Sequence, residues 1–370
     1  MTSEQKRPKA RVLAYYLPQF HPIPENDAWW GKGFTEWTNV GKAKPLFPGH
    51  YQPHVPADLG YYDLRVPETR EAQAQMAREA EIEGFVYWHY WFGNGKRLLE
   101  RPFNEVLASG KPDFPFALAW ANESWSGTFH GLKEGNMLIE QTYPGDEDYI
   151  AHFNAVLPAF KDKRYITCEG KPIFVIYLAS SMPDVKHFIH LWQKLAKNNG
   201  LNGIYFIAHE HHCYDHKLLK ERINLRKEQG FDAVNIVNIR QNETNKLPFW
   251  NRFFRWLFYK RLRLIPNLLA YDINSFVTPY DRMNNVFPSI SPGWDNTPRT
   301  GKLGEVQYGA TPEKFGQALR NAIDTVREKP VEQRFVFIKS WNEWAEGNYV
   351  EPDLKWGNAY IKTMSRIMRE

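Results

Sequence analysis

The sequence predicts an α/β protein, a single (β/α)8 TIM-like barrel with extended loops at its C-terminal face. Three observations lead there. Eight short apolar runs recur along 370 residues, helix-like stretches separate several of them, and polar and aromatic residues cluster where the runs end. Alternation of this kind means a parallel sheet, and eight units close most readily into a barrel whose strand ends share one mouth.

The first run, 11–17, is rich in Val, Leu and Tyr and ends at Pro18. The second, 84–91, follows an Ala- and Glu-rich helical pattern over 67–84, and the third, 114–120, stops at Ala121-Asn122-Glu123. A helix is expected over 149–157, ended by Pro158. Runs at 172–178 and 203–208 flank a helical pattern at 182–199. A sixth run, 231–236, and a weaker seventh, 286–290, precede a helical pattern at 312–329 and the last run, 334–340. That run alternates poorly but is rich in β-branched and aromatic residues, as a buried strand should be. No glycine-rich phosphate turn follows any run, which disfavours the doubly wound open sheet. Residues 1–370 therefore read as one catalytic domain, with 244–270 as a basic aromatic insertion or helix.

Composition narrows the class. The hydrophobic fraction is 43% with 24% charged residues, and the net charge of +5 is too mild to argue for nucleic acid. Fourteen Trp, 19 Tyr and 24 Phe are an excess that usually serves carbohydrate, interface or membrane-surface contact. Two cysteines, Cys168 and Cys213, imply no disulfide framework. The polar, basic residues 1–11 do not read as a secretory signal, and no apolar run reaches the roughly 18 residues that span a bilayer. The expectation is a cytoplasmic protein, or one peripheral at the inner membrane face.

Chemistry concentrates in Trp341-Asn342-Glu343-Trp344-Ala345-Glu346-Gly347, two carboxyls three residues apart between tryptophans at the exit of a buried strand. Sugar cleavage needs one protonated and one ionised carboxyl, with apolar platforms for the pyranose faces. The alternative is that Glu343 and Glu346 cap a helix or pair with nearby cations. Other strand ends would bring substrate-binding groups to the same mouth: Tyr15, Gln19 and His21; His89, Tyr90 and Trp91; Trp120, Asn122, Glu123 and Trp125; His209; Trp294 and Asp295; Trp341 and Asn342. Glu36 and Trp37 join them. Glu36, Glu123 and Asp295 are further candidates for the partner of Glu346.

Taken together, several motifs resemble the WbsX-like family, associated with polysaccharide and lipopolysaccharide biosynthesis. They are Tyr15-Tyr16-Leu17-Pro18-Gln19-Phe20-His21-Pro22, the stretch 29–40 containing Phe34-Thr35-Glu36-Trp37-Thr38-Asn39, then Gly84-Phe85-Val86-Tyr87-Trp88-His89-Tyr90-Trp91-Phe92, Ala119-Trp120-Ala121-Asn122-Glu123-Ser124-Trp125, and the Glu343 segment itself. That family is related to the endo-α-mannosidase-type glycoside hydrolases, family 99, through Glu343-Trp344-Ala345-Glu346. The resemblance implies a (β/α)8 barrel. It also implies that Glu343 is base on the sugar 2-hydroxyl, giving a 1,2-anhydro intermediate, and that Glu346 is general acid/base, with retained configuration. Burial of the acid among Trp341 and Trp344 would raise its pKa. The substrate would be a polysaccharide or lipid-linked oligosaccharide, with no cofactor and no metal.

Three other readings stand beside this one. Asp146-Glu147-Asp148 has the Asp-x-Asp form of some nucleotide-sugar transferases, although acids in a helix's first turn are the ordinary reading. His209-Glu210-His211-His212-Cys213 pairs two imidazoles on one strand face, as barrel metallohydrolases do for zinc, with His89 and Asp295 as the further ligands; hydrogen bonding to sugar is the alternative. The segment from Phe249 to Arg263 carries five basic residues, seven aromatics and no acid. It reads either as a barrel helix or as a stretch in peripheral contact with a membrane. A glycan-binding barrel with a dead site is the non-enzymatic alternative.

Overall fold

The computed structural model describes residues 9–127, 137–211, 215–238 and 256–370. Eight strands form a closed parallel barrel: β1 (Arg11–Tyr16), β2 (Gly84–Trp91), β3 (Phe116–Trp120), β4 (Lys171–Ile176), β5 (Tyr205–His211), β6 (Ala233–Val237), β7 (Val286–Ile290) and β8 (Phe335–Ile338). Each pairs in parallel with its sequence neighbours. Closure comes from β8 on β1, in register from Phe335 opposite Arg11 to Ile338 opposite Ala14. All eight residues of β2 and every residue of β3, β6, β7 and β8 are buried. Strands covered on both faces have no polar side to show, which is why these runs alternate poorly in the sequence.

Helices Pro67–Glu79, Arg101–Ser109, Asp146–Phe160, Val185–Asn198, His216–Glu228 and Pro312–Val326 connect the strands, and Ala359–Arg369 follows the last. Several boundaries depart from expectation by a few residues, two of them at prolines. Pro158 does not end its helix but sits inside the last turn, where only one intrahelical bond is forfeited. The helix expected from residue 182 starts at Val185, because Pro183 holds Met182 out of helical geometry. The sixth unit has no long α-helix among the described residues. It contains the π-helical turn Trp256–Arg261, short 3-10 turns, and a strand, Asn267–Ala270, that pairs in parallel with Glu305–Tyr308 outside the barrel.

Much of the aromatic excess turns out to be core. Trp192 is fully buried between helix and barrel against Phe174, Phe188, Phe160, Phe206 and His152. Inside the barrel, Tyr15 stacks on Trp88 at 4.7 Å and on Phe337 at 5.6 Å. Its hydroxyl donates to Asn235 Oδ1, which also accepts from Ser289. This plug of rings and satisfied polar groups forms the floor on which the mouth is built.

Candidate active site

The chain leaves β8 through Lys339 and Ser340 and folds a tight loop. Asn342–Glu343 pair antiparallel with Asn348–Tyr349 across the 3-10 turn Trp344–Glu346. Gly347 takes φ +58°, and a Cβ there would meet Asp295 at 2.9 Å, so turn and packing both require glycine. Behind the loop lies Glu351, a buried carboxyl. Its Oε1 accepts from Trp341 Nε1 (2.9 Å) and Gln73 (2.6 Å), and its Oε2 from Trp344 Nε1 (2.7 Å) and the Tyr62 hydroxyl (2.9 Å). Asn342 clamps the loop to the end of β1 through both the N–H and the carbonyl of Leu17.

In front of the loop is a half-open pocket of about 590 Å³, counting the solvent space in its mouth. Gln19, Trp88, Tyr90, Glu123, Trp125, Tyr177, Arg299, Lys339, Glu343 and Glu346 line it. Glu343 accepts from Trp88 Nε1 at 2.8 Å and from Lys339 Nζ at 2.6 Å. The same ammonium lies 3.6 Å from Glu346, whose other oxygen accepts from Arg299 at 2.6 Å. Arg299 in turn is anchored by Glu36, buried behind it.

Carboxylates outnumber cations in this cluster, and the titration behaviour follows. Burial pushes the Glu343 carboxyl up to about 7; Lys339 opposes this and Glu346 adds to it. Burial works against the Lys339 charge, but Glu343 and Glu346 prevail and raise it above its ordinary value. Burial likewise opposes Arg299, yet Glu36, Glu346 and Glu343 hold it charged. Desolvation, with Glu346 adding, also pushes Glu123 up to about 7 against Lys339 and Arg299. Glu123 keeps an exposed surface, so solvent screens it and Glu343 is the more firmly held of the two.

Of the residues expected at the mouth, Glu343, Glu346, Gln19, Tyr90, Glu123 and Trp125 come together in the pocket. The others are elsewhere. Along β2, Trp88 and Tyr90 face the pocket, while His89 and Trp91 face outward. His89 meets His152 Nε2 at 2.8 Å, and Trp91 donates to Asp148 on helix Asp146–Phe160. Trp120 also faces outward, against His152 and Phe188. Tyr15 belongs to the floor. Asn122 is a pin, bonding the Leu178 N–H and carbonyl. His21 is buried on the Pro18 carbonyl, and Trp37 packs among Phe20, Tyr62 and Trp344. Glu36 acts through Arg299. Trp341 and Trp344 lie beneath the loop with their indole N–H groups on Glu351, so neither is a sugar platform and neither encloses Glu346 in an apolar shell. Asp295 accepts from His50 and Gln52 and lines a second cavity with Trp294.

Sequence reading missed Lys339, Arg299, Tyr177 and the pocket-facing role of Trp88. Lys339 carries a signal, being a cation at the exit of an apolar strand. Trp88 could be placed from its even spacing with Tyr90. Arg299 has none, since its partners Glu346 and Glu36 are 47 and 263 residues away.

The remaining constellations separate in space. Asp146 meets His187 at 2.6 Å and Asp148 takes Trp91 and the Gly95 N–H, both within a helix's first turn. His209 is buried against Tyr15, Trp88 and Tyr177, and burial, with His211 and Lys339, lowers its pKa well below the usual range. His89 and Asp295, expected as its co-ligands, face away from it. His212, Cys213 and residues 249–255 of the basic aromatic segment lie outside the described residues. Among the described residues no helix is long and apolar enough to cross a membrane.

Residues 12–364 match the family described as Glycosyltransferase WbsX. Two relatives named "Uncharacterized protein WxcX", from Xanthomonas campestris pv. campestris strains B100 and ATCC 33913, are 37% and 36% identical over 365 residues. The alignment covers 95% of this chain and 48% of each relative, so the chain spans about half their length. A solved glycoside hydrolase-like protein aligns over 97% of this chain and 94% of its own, with 16% identity and a TM-score of 0.60. The GH99 endo-alpha-mannosidase from Bacteroides thetaiotaomicron aligns over 97% and 96%, with 14% identity and a TM-score of 0.54. At such identities the likeness speaks for the fold, a TIM barrel.

Proposed function

We propose, from the premise that the chain belongs to the glycosyltransferase WbsX family, a retaining carbohydrate-active enzyme that cleaves or transfers a glycosidic bond, with Glu343 as base and Glu346 as general acid/base. Its substrate is a polysaccharide or lipid-linked oligosaccharide. The observation that carries this reading is the Lys339 ammonium shared by Glu343 and Glu346 at 2.6 and 3.6 Å. Bound to one ammonium, the two carboxyls face the same pocket, as a base at the 2-hydroxyl and an acid at the neighbouring glycosidic oxygen require.

In the first step Glu343 removes the proton of the sugar 2-hydroxyl, whose oxygen attacks the anomeric carbon. Glu346 protonates the departing oxygen as the glycosidic bond breaks. In the second step Glu346 takes a proton from water or an acceptor hydroxyl, whose oxygen attacks the anomeric carbon from the opposite face; the anomeric carbon–O2 bond breaks, Glu343 returns its proton to O2, and the configuration is restored. A carboxyl near 7 suits the base, being more basic than an ordinary glutamate yet still partly ionised at neutral pH. Trp88, Tyr90 and Trp125 supply the ring faces. A second reading gives the proton-donating role to Glu123, because it lines the same pocket and is also pushed up to about 7.

The test is turnover of bacterial surface polysaccharides by wild type, Glu343→Gln, Glu346→Gln and Glu123→Gln, with products followed by mass spectrometry and no sugar nucleotide added. Cleavage or transfer lost in the Glu343 and Glu346 variants, with retained configuration, supports the proposal. Loss with Glu123→Gln but not Glu346→Gln moves the acid to Glu123. Turnover that requires a sugar nucleotide and survives both changes makes the pair a binding feature, and glycan binding without any turnover refutes catalysis.

A further inference from the structure

The mouth carries a second cavity, about 780 Å³, on the far side of the Glu346 loop. Three connections that follow neighbouring strands build it: those after β1, β7 and β8. Trp294 is the partition. Its ring lies 6.0 Å from Lys339 Nζ on the catalytic side and lines the second cavity on the other. The Asp295 N–H, next in the chain, donates to the Glu346 carbonyl at 2.6 Å, so the two cavities share a backbone wall.

The acidic groups in this cavity already have partners. Asp295 accepts from His50 and Gln52, each at 2.7 Å, and from the Thr297 hydroxyl. Asp353 accepts from the Tyr349 hydroxyl at 2.7 Å and from the Trp356 N–H. What stays unused is of another kind. The indole N–H of Trp294, only 6% exposed, has no hydrogen-bond partner among the described residues. Tyr308 stands 56% exposed at the rim, while Tyr51 and Trp356 each carry the Lys355 ammonium over their rings, at 4.5 and 4.8 Å. A buried donor without an acceptor is disfavoured unless a ligand or water supplies one. Acids that have partners, the Lys355 ammonium set on two rings, the open Tyr308 face and the Trp294 donor together match a neutral, hydroxyl-rich ring with an apolar face. The geometry points to a second glycan site: the Trp294–Tyr308 cavity binds a neutral pyranose residue of a glycan chain, separately from the Glu343 pocket. The choice of ligand class rests on the carbohydrate reading above; the existence of a second site does not.

The test is saturation-transfer NMR and calorimetry with α-1,2-mannotriose, maltotriose and a uronic-acid trisaccharide on wild type, Trp294→Phe, Tyr308→Ala and Trp125→Ala. Trp294→Phe keeps a ring and removes the donor, so it separates loss of the hydrogen bond from loss of folding. Two binding events are expected for a neutral trisaccharide. Trp294→Phe and Tyr308→Ala each weaken one about tenfold and spare the other, whereas Trp125→Ala affects only the other. A single event abolished by Trp125→Ala overturns the second site and leaves the proposed function standing. An event sensitive to Tyr308→Ala with none sensitive to Trp125→Ala upholds the second site and counts against the Glu343 pocket. Binding of the uronic-acid probe alone, or of none, refutes the neutral-pyranose assignment.

Discussion

Changing Glu351 to Gln puts two opposing effects in competition. Glu351 is 2% exposed and accepts four hydrogen bonds, all from uncharged donors. Burial pushes its pKa from 4.5 up to about 7, while the bonds from Trp344, Gln73, Tyr62 and Trp341 oppose that rise. The folded value lies above the unfolded one, so the associated stability is fully present below pH 4.5 and is lost as pH climbs through about 7. At 1.36 kcal/mol per pH unit the loss is about 3 kcal/mol. A glutamine side chain in its place does not titrate and escapes that loss. Its amide nitrogen, however, cannot accept, so one tryptophan N–H is orphaned, at a cost of about 1–3 kcal/mol at every pH.

The Glu351→Gln variant should therefore be less stable than wild type at about pH 4.5 and approach or overtake it by about pH 8. Urea unfolding of both proteins across that range measures this, and the difference cancels titrations common to the two. A difference that stays flat, or that widens against the variant as pH rises, would mean that the four donors outweigh burial and keep Glu351 ionised.

Three further outcomes can be checked. Lys339→Met removes the cation that opposes the rise in Glu343, so the acidic limb of the kcat/KM profile should move at least about one pH unit upward from about 7; an unmoved limb would show that Glu343 is not the titrating base. Trp192→Ala empties the ring cluster between helix and barrel and should cost about 3–5 kcal/mol of unfolding free energy. A loss under about 1 kcal/mol in urea unfolding would show that the cluster is loosely packed. If the basic aromatic segment meets a membrane, flotation with anionic liposomes should retain the protein at low salt and fail with Arg261→Glu and Arg263→Glu. Equal recovery of variant and wild type would leave the segment as an ordinary part of the barrel wall.

Local composition alone determined the barrel and the two glutamates. Eight apolar runs could be counted because parallel strands buried on both faces must be continuously apolar. The Glu343–Glu346 segment was visible because acids between tryptophans after such a strand are unusual. The sequence also placed acids in the first turn of helix Asp146–Phe160, where the structure has them. What tertiary structure decided is which way each side chain points and which distant residue it meets. His89, Trp91 and Trp120 sit at strand ends just as Tyr90 does, yet strand parity sends them outward into the helix layer. Trp341 and Trp344 flank the glutamates in sequence but turn their indoles down onto Glu351, a carboxyl whose role nothing in the linear pattern marks. Arg299 and Glu36 reach the site only because barrel closure brings the loops after β7, β8 and β1 side by side. Periodicity reports what a segment must bury. The Lys339–Glu343 pair is local, but the burial that raises Glu343 and Glu123 comes from segments far apart in the chain and exists only once the barrel has closed.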